Sequence, residues 1–381
     1  MRKNFLSLVL CLVACNIYAQ EEYKKVDFDE QFKNKHQGKA EVEINEVKEL
    51  VHIMIAITEI GLDNDDMVAQ TGDYYKDVIR NFETHKDEKI IRTFDSLIKV
   101  NPLNYIFLSG NALSYNFKGN RLIKDHYYLF PAQSVSSHTT ITVNPITTYK
   151  KDIEAFARKS KFRKFYRKHH PYYKQITSDY KKFANLKEQW SWLESQFSTK
   201  VNNYTIMCSP LINGLNYTTS YTDRDFKQIM MVLPPLDELP HLTETQKLVF
   251  NTRTMFTEID HNYVGKPTEE HIDSINKVFA TRADWVNTDQ YGTEYYPDPE
   301  RIFNEYATYG VFLLYCKDHF NEITTANTTK EVIALMTDRG FIKMKKFTEV
   351  LFDVSAQYPN QMVEEWYPEF IKQLGEKSIM Q

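Results

Sequence analysis

Glu258 and His261 stand three residues apart in the run Met255-Phe256-Thr257-Glu258-Ile259-Asp260-His261-Asn262-Tyr263. On a helix this spacing brings a carboxylate and an imidazole onto one face, a turn apart. An imidazole is a common zinc ligand, and a carboxylate beside a metal-held water serves as general base. The complete zinc-gripping arrangement is His-Glu-x-x-His, with two His four residues apart. Here Thr257 fills the first His position. Two other Glu-x-x-His pairs occur, Glu49/His52 and Glu238/His241. Their flanks differ and Pro240 interrupts the second, so a di-iron bundle built from these pairs is not expected.

The helices and strands around Glu258 are marked by local signals. Thr243-Glu244-Thr245-Gln246 is a capping box that starts a helix. Leu248, Thr252, Met255, Phe256, Ile259 and Tyr263 then form its apolar face, and Gly265 and Pro267 close it, giving a helix over 243–264. Thr254, Thr257, Glu258 and His261 share the opposite side. Upstream, 204–210, 216–221 and 228–233 read as strands. Downstream, 299–320 reads as a helix, and 330–374 as more helices. Nearer the N-terminus, 40–60 and 74–100 carry helical periodicity, and 101–149 reads as irregular with short strands. The expected fold is α+β, a mostly helical body over 40–381 with a small mixed sheet ahead of the Glu258 helix. Its 40–200 part is mainly helical. No linker or internal repeat divides it.

Residues 150–187 hold thirteen Lys and Arg against three Asp and Glu, in a chain whose net charge is -4. Ile153, Phe156, Ala157, Phe165 and Tyr166 give the block a helical period that Pro171 is expected to break, with a second helix running to about 197. Arg163, Lys164, Arg167 and Lys168, interleaved with Phe162, Tyr166, Tyr172 and Tyr173, are the candidates for holding an anionic polymer. The competing reading is a solvated helix paired with the acidic remainder of the chain.

Of the 381 residues, 42% are hydrophobic and 26% charged, and the mean hydropathy of -0.52 excludes a polytopic membrane protein. No phosphate-binding loop, dinucleotide fingerprint or serine-nucleophile elbow is present. Arg2 and Lys3 followed by an apolar run over 5–13 read as an export signal. Cleavage after Ala19 would give a soluble exported protein, beginning with a flexible segment over 20–39. Leu12-Val13-Ala14-Cys15 instead fits a lipoprotein signal to residue 14, with Cys15 lipidated and the protein held at an outer membrane. Cys208 and Cys316 remain in the body. An oxidising compartment permits their pairing, although two buried thiols are the expected state.

Several segments together resemble one family of exported bacterial proteins known as a domain of unknown function. They are the export signal, the Phe-Ala-x-x-Ser-x-Phe-x-x-Phe-Tyr run at 156–166, Trp192 to Phe197, Ser-Pro-Leu-x-x-Gly-x-Asn-Tyr at 209–217, and the Thr257 helix. Members carry an intact His-Glu-x-x-His helix and a later Asn-Glu helix. The resemblance implies a zincin-like, gluzincin-type fold. It also implies that Glu258 is the general base, that His261 and Glu305 of Asn304-Glu305 are zinc ligands, and that Thr257 leaves one ligand position vacant. It implies a peptidase ancestry, and the expected function is that of a degenerate metallopeptidase homologue that binds a peptide or protein partner, in a cleft of a kind that commonly takes an extended chain along an exposed strand edge. The alternative is an active zinc metallopeptidase with an unidentified third ligand.

Overall fold

The computed structural model describes residues 23–135, 139–237 and 239–379. The export signal, Cys15 and Glu238 lie outside them. Helix α1 (Glu30–His36) and strand β1 (Lys39–Glu43) come first, followed by α2 (Glu46–Ala56), α3 (Glu59–Asp63), α4 (Gly72–Phe82), α5 (Lys89–Val100) and α6 (Asn104–Asn111). Two small pairs come next, β2 (Tyr115–Lys118) with β3 (Arg121–Lys124), and β4 (Ser134–Val135) with β5 (Thr139–Thr140). Helices α7 (Pro145–Lys159), α8 (Phe162–Lys168), α9 (His170–Phe183) and α10 (Leu186–Gln196) lead to β6 (Asn203–Cys208), β7 (Tyr217–Asp223) and β8 (Phe226–Leu233). The chain ends in α11 (Glu244–Ile259), α12 (His261–Glu270), α13 (Ile272–Val278), α14 (Pro299–His319), α15 (Glu322–Asp338), α16 (Met344–Gln357) and α17 (Val363–Ile379). No helix among the described residues is long and apolar enough to cross a membrane.

The α+β expectation holds: helices predominate around a four-stranded mixed sheet of order β1-β6-β8-β7. β1, β6 and β8 run parallel and β7 is antiparallel at the edge. β6 is buried along its whole length, as a parallel strand covered on both faces should be. One apolar core joins Val47 and Leu50 of α2, Ile206 of β6, Phe256 of α11, Phe312 of α14 and Leu374 of α17. Cys208 and Cys316 are separate buried thiols.

The structure corrects several sequence expectations. Residues 39–43 form a strand, and the helix read over 40–60 starts only after Asn45, whose side chain caps it by accepting from the amides of Val47 and Lys48. The 20–39 segment read as flexible contains α1, and Phe28 and Phe32 there are buried, their rings stacked at 4.2 Å. The 101–149 stretch includes helix α6. The expected break falls at His169, just before Pro171, which sits in the first turn of α9, where the missing N–H would have had no partner. A further break, not expected, lies before α8 at Lys161, with φ 56°. Gly265 and Pro267 do not close the Glu258 helix. It breaks at Asp260, and α12 carries Pro267 inside it. Tyr263, Val264, Pro267 and Thr268 are all buried, so core packing outweighs the one helical hydrogen bond that proline removes.

Candidate functional site

Helix α11 begins at the expected capping box. Thr243 Oγ1 accepts from the Gln246 amide, and Gln246 Oε1 accepts from the Thr243 amide at 2.9 Å. Its far end delivers Thr257 and Glu258, both half-buried. The Thr257 hydroxyl donates to the Arg253 carbonyl of its own helix at 3.1 Å. Glu258 Oε2 accepts from Thr218 Oγ1 at 3.0 Å, tying α11 to the edge strand β7. Glu258 has no cationic partner among the described residues.

At the α11–α12 break, Asp260 turns inward and is completely buried, with no hydrogen-bond partner at either carboxylate oxygen among the described residues. Burial pushes its carboxyl well above the usual carboxylate range. The charges of Glu305 and then Glu258 add to the rise, while the nearby His261 amide and Thr308 hydroxyl oppose it. His261 is exposed, and its Nδ1 lies 3.3 Å from Thr308 Oγ1 of α14. Glu305, 7% exposed, is one turn before Thr308 on the same helix. Glu258 and Glu305 thus both act on Asp260, and His261 meets α14 at Thr308.

Glu305 is already engaged. Arg339, at the end of α15, holds its carboxylate at 2.7 Å. The same guanidinium donates to the Tyr309 and Tyr296 hydroxyls at 3.0 and 3.2 Å. A zinc ion on Glu305 would have to share that carboxylate with a permanent cation, and a catalytic zinc needs three protein ligands. Thr257 spends its hydroxyl proton on its own backbone, and a neutral hydroxyl is a poor zinc ligand. Among the described residues no group of three or more His, Cys, Asp or Glu side chains is disposed to hold a metal. The side chains as arranged do not fit a zinc ion.

Beside Glu258, the outer backbone edge of β7 has no strand partner among the described residues. A small cavity of about 160 Å³ lies against one face of β7 and its neighbour β8, lined by Leu113, Ala132, Tyr217, Thr219 and Met230 among others. The Tyr217 hydroxyl is held from behind by Lys48 Nζ at 3.3 Å.

Lys48 belongs to a buried polar cluster that sequence reasoning missed as a unit. Lys48, Glu49 and His52 of α2 are each at most 2% exposed. Lys48 also donates to the Ser109 carbonyl at 3.1 Å, and Glu49 accepts from Tyr74 at 2.6 Å. The Tyr74 hydroxyl is 2.7 Å from that of Tyr173. Glu49 Oε2, His52 Nε2 and the Tyr105 hydroxyl have no partner among the described residues. Burial lowers the Lys48 amine to about 7 and raises the Glu49 carboxyl to about 7. A signal was present. Lys48 and Glu49 sit amid Val47, Leu50, Val51, Ile53 and Met54, and a helix apolar on every side must bury its charges.

Much of the basic block is paired with acid. Arg163 grips Glu46 at 2.8 and 3.1 Å, and Lys168 and His169 both reach Asp77. Lys159 meets Glu88, and Lys182 meets Glu244. Lys164 and Arg167 are exposed and have no ion pair among the described residues. Phe162 and Tyr173 are buried, which removes them as stacking platforms.

No family profile, curated protein or solved structure matches this chain.

Proposed function

We propose that this chain is an exported, zincin-like protein without a working metal centre, which binds an extended peptide or protein segment along β7. The observation that carries this reading is the Thr218–Glu258 hydrogen bond, which couples an edge strand to the helix bearing the candidate base. A peptide laid against β7 would gain main-chain hydrogen bonds from the open edge. An apolar side chain of that peptide would enter the cavity beside Tyr217 and Thr219. Glu258, with no cationic partner among the described residues, favours a basic group on the ligand near Thr218. Glu305 is neutralised by Arg339, which leaves Glu258 as the unpaired carboxylate beside Thr218 among the described residues. With the N-terminal export signal, the encounter would occur outside the cytoplasm, in solution or at an outer membrane through Cys15.

An array of extended decapeptides probed with the purified chain tests this. Binding by peptides that combine an apolar residue and a nearby basic residue is expected. Glu258→Gln or Thr219→Arg should each weaken it by about tenfold, some 1.4 kcal/mol. Binding that ignores both substitutions would overturn the proposal. Hydrolysis of the peptides that requires zinc and is abolished by Glu258→Gln would replace it with a working metallopeptidase.

A further inference from the structure

A cavity of about 740 Å³ lies between the first half of α11 and α15. Phe250 and Arg253 of α11, Thr328 and Lys330 of α15, and His241 ahead of α11 line it. Arg253 is half-buried, with its guanidinium 4.9 Å from the centre of the Phe250 ring. It has no hydrogen-bond acceptor or carboxylate partner among the described residues. The three other half-buried arginines are all engaged, Arg163 by Glu46, Arg339 by Glu305, and Arg282 by the Thr293 and Tyr296 carbonyls. A guanidinium removed from bulk water with its donors unused calls for an acceptor.

A second observation points the same way. Thr328 lines the cavity at 5% exposure, and its hydroxyl has no hydrogen-bond partner among the described residues. The N-caps of α11 and α15, Thr243 and Asn321, also border the space, so the positive ends of two long helices converge there. Among the described residues Glu331 is the one acidic residue of the lining, against Arg253, Lys330 and His241. Leu242, Val249 and Phe250 supply an apolar wall.

We propose that this cavity is a binding site for a small amphipathic oxyanion, a carboxylate or phosphate group on a short apolar or aromatic body. Arg253 takes the head group in fork geometry, with Lys330 as a second cation. Thr328 donates to a remaining oxygen, and the body lies against Val249 and Phe250. The site uses none of the residues assigned to peptide binding and stands or falls independently of that reading.

Calorimetric titration of the whole chain with phenyl phosphate and with phenylacetate, at fixed ionic strength, tests it. Saturable binding of at least one probe is expected. The tighter of the two identifies whether the natural head group is phosphate or carboxylate. Arg253→Gln should weaken it by at least about tenfold, and Thr328→Val by several-fold, while Lys164→Gln on the exposed basic block leaves it unchanged. Circular dichroism checks that the variants fold, and Lys330→Gln serves as the second charge variant should Arg253→Gln not fold. Failure of both probes to saturate, or equal weakening by Lys164→Gln, overturns the proposal.

Discussion

Glu49→Ala is expected to destabilise the protein by about 3–5 kcal/mol, among the largest losses available to a single side chain here. The carboxyl is buried, holds the Tyr74 hydroxyl at 2.6 Å, and its charge acts on the buried Lys48 amine. Removing it leaves a cavity, takes the acceptor from Tyr74, and strips Lys48 of its opposing charge. Glu49→Gln keeps shape and acceptor and should cost only about 1–2 kcal/mol. The double variant Lys48→Met/Glu49→Gln removes both ionisable groups and should recover most of the Glu49→Ala loss. Urea denaturation at pH 7 measures all three. A Glu49→Ala protein as stable as the parent would mean that the cluster is not buried as described.

The same cluster sets a pH dependence with a definite sign. The Glu49 carboxyl is raised to about 7 from an ordinary 4.5. Between those values the unfolded chain has lost a proton that the folded chain keeps, so stability falls as pH rises. The Lys48 amine is lowered to about 7 from an ordinary 10.5. Above pH 7 the folded chain has shed a proton that the unfolded chain retains, so stability rises with pH. Compared with the double variant, the parent should be least favoured near pH 7 and improve on either side.

What the sequence made legible was local. The capping box at Thr243, the strands at 203–208, 217–223 and 226–233, and the helix after Pro299 all carry short-range signals, and each formed close to where it was read. What escaped depends on distant partners. Thr218 reaches Glu258 from another element, and Arg339 reaches Glu305 across 34 residues, with no pattern in either local sequence. Asp260 looks poorly placed on an unbroken helical wheel. It is nevertheless fully buried, where α11 gives way to α12. β1 was hidden because its five residues run into a strongly periodic helix, although Asn45 marked the boundary.

Arg339 holds the carboxylate that a zinc ion beside His261 would need, and a designed site should show it. Thr257→His alone is expected to bind little zinc, since Glu305 stays bound to the guanidinium at 2.7 Å. Thr257→His/Arg339→Met should bind about one zinc per chain, because two His four residues apart and a freed Glu305 make up a three-ligand set. Without metal the double variant should lose about 3 kcal/mol, since Glu305, with a side chain only 9% exposed, keeps a charge that nothing opposes. Zinc at a hundredfold excess over its dissociation constant should return about 2.7 kcal/mol of that loss. Plasma mass spectrometry gives the metal content, and thermal unfolding with and without zinc gives the linkage. Adding His261→Ala should abolish both effects. If the double variant takes up no zinc, then the break at Asp260 turns His261 away from Glu305, and the zincin-like reading of this helix fails along with the ancestry inferred from it.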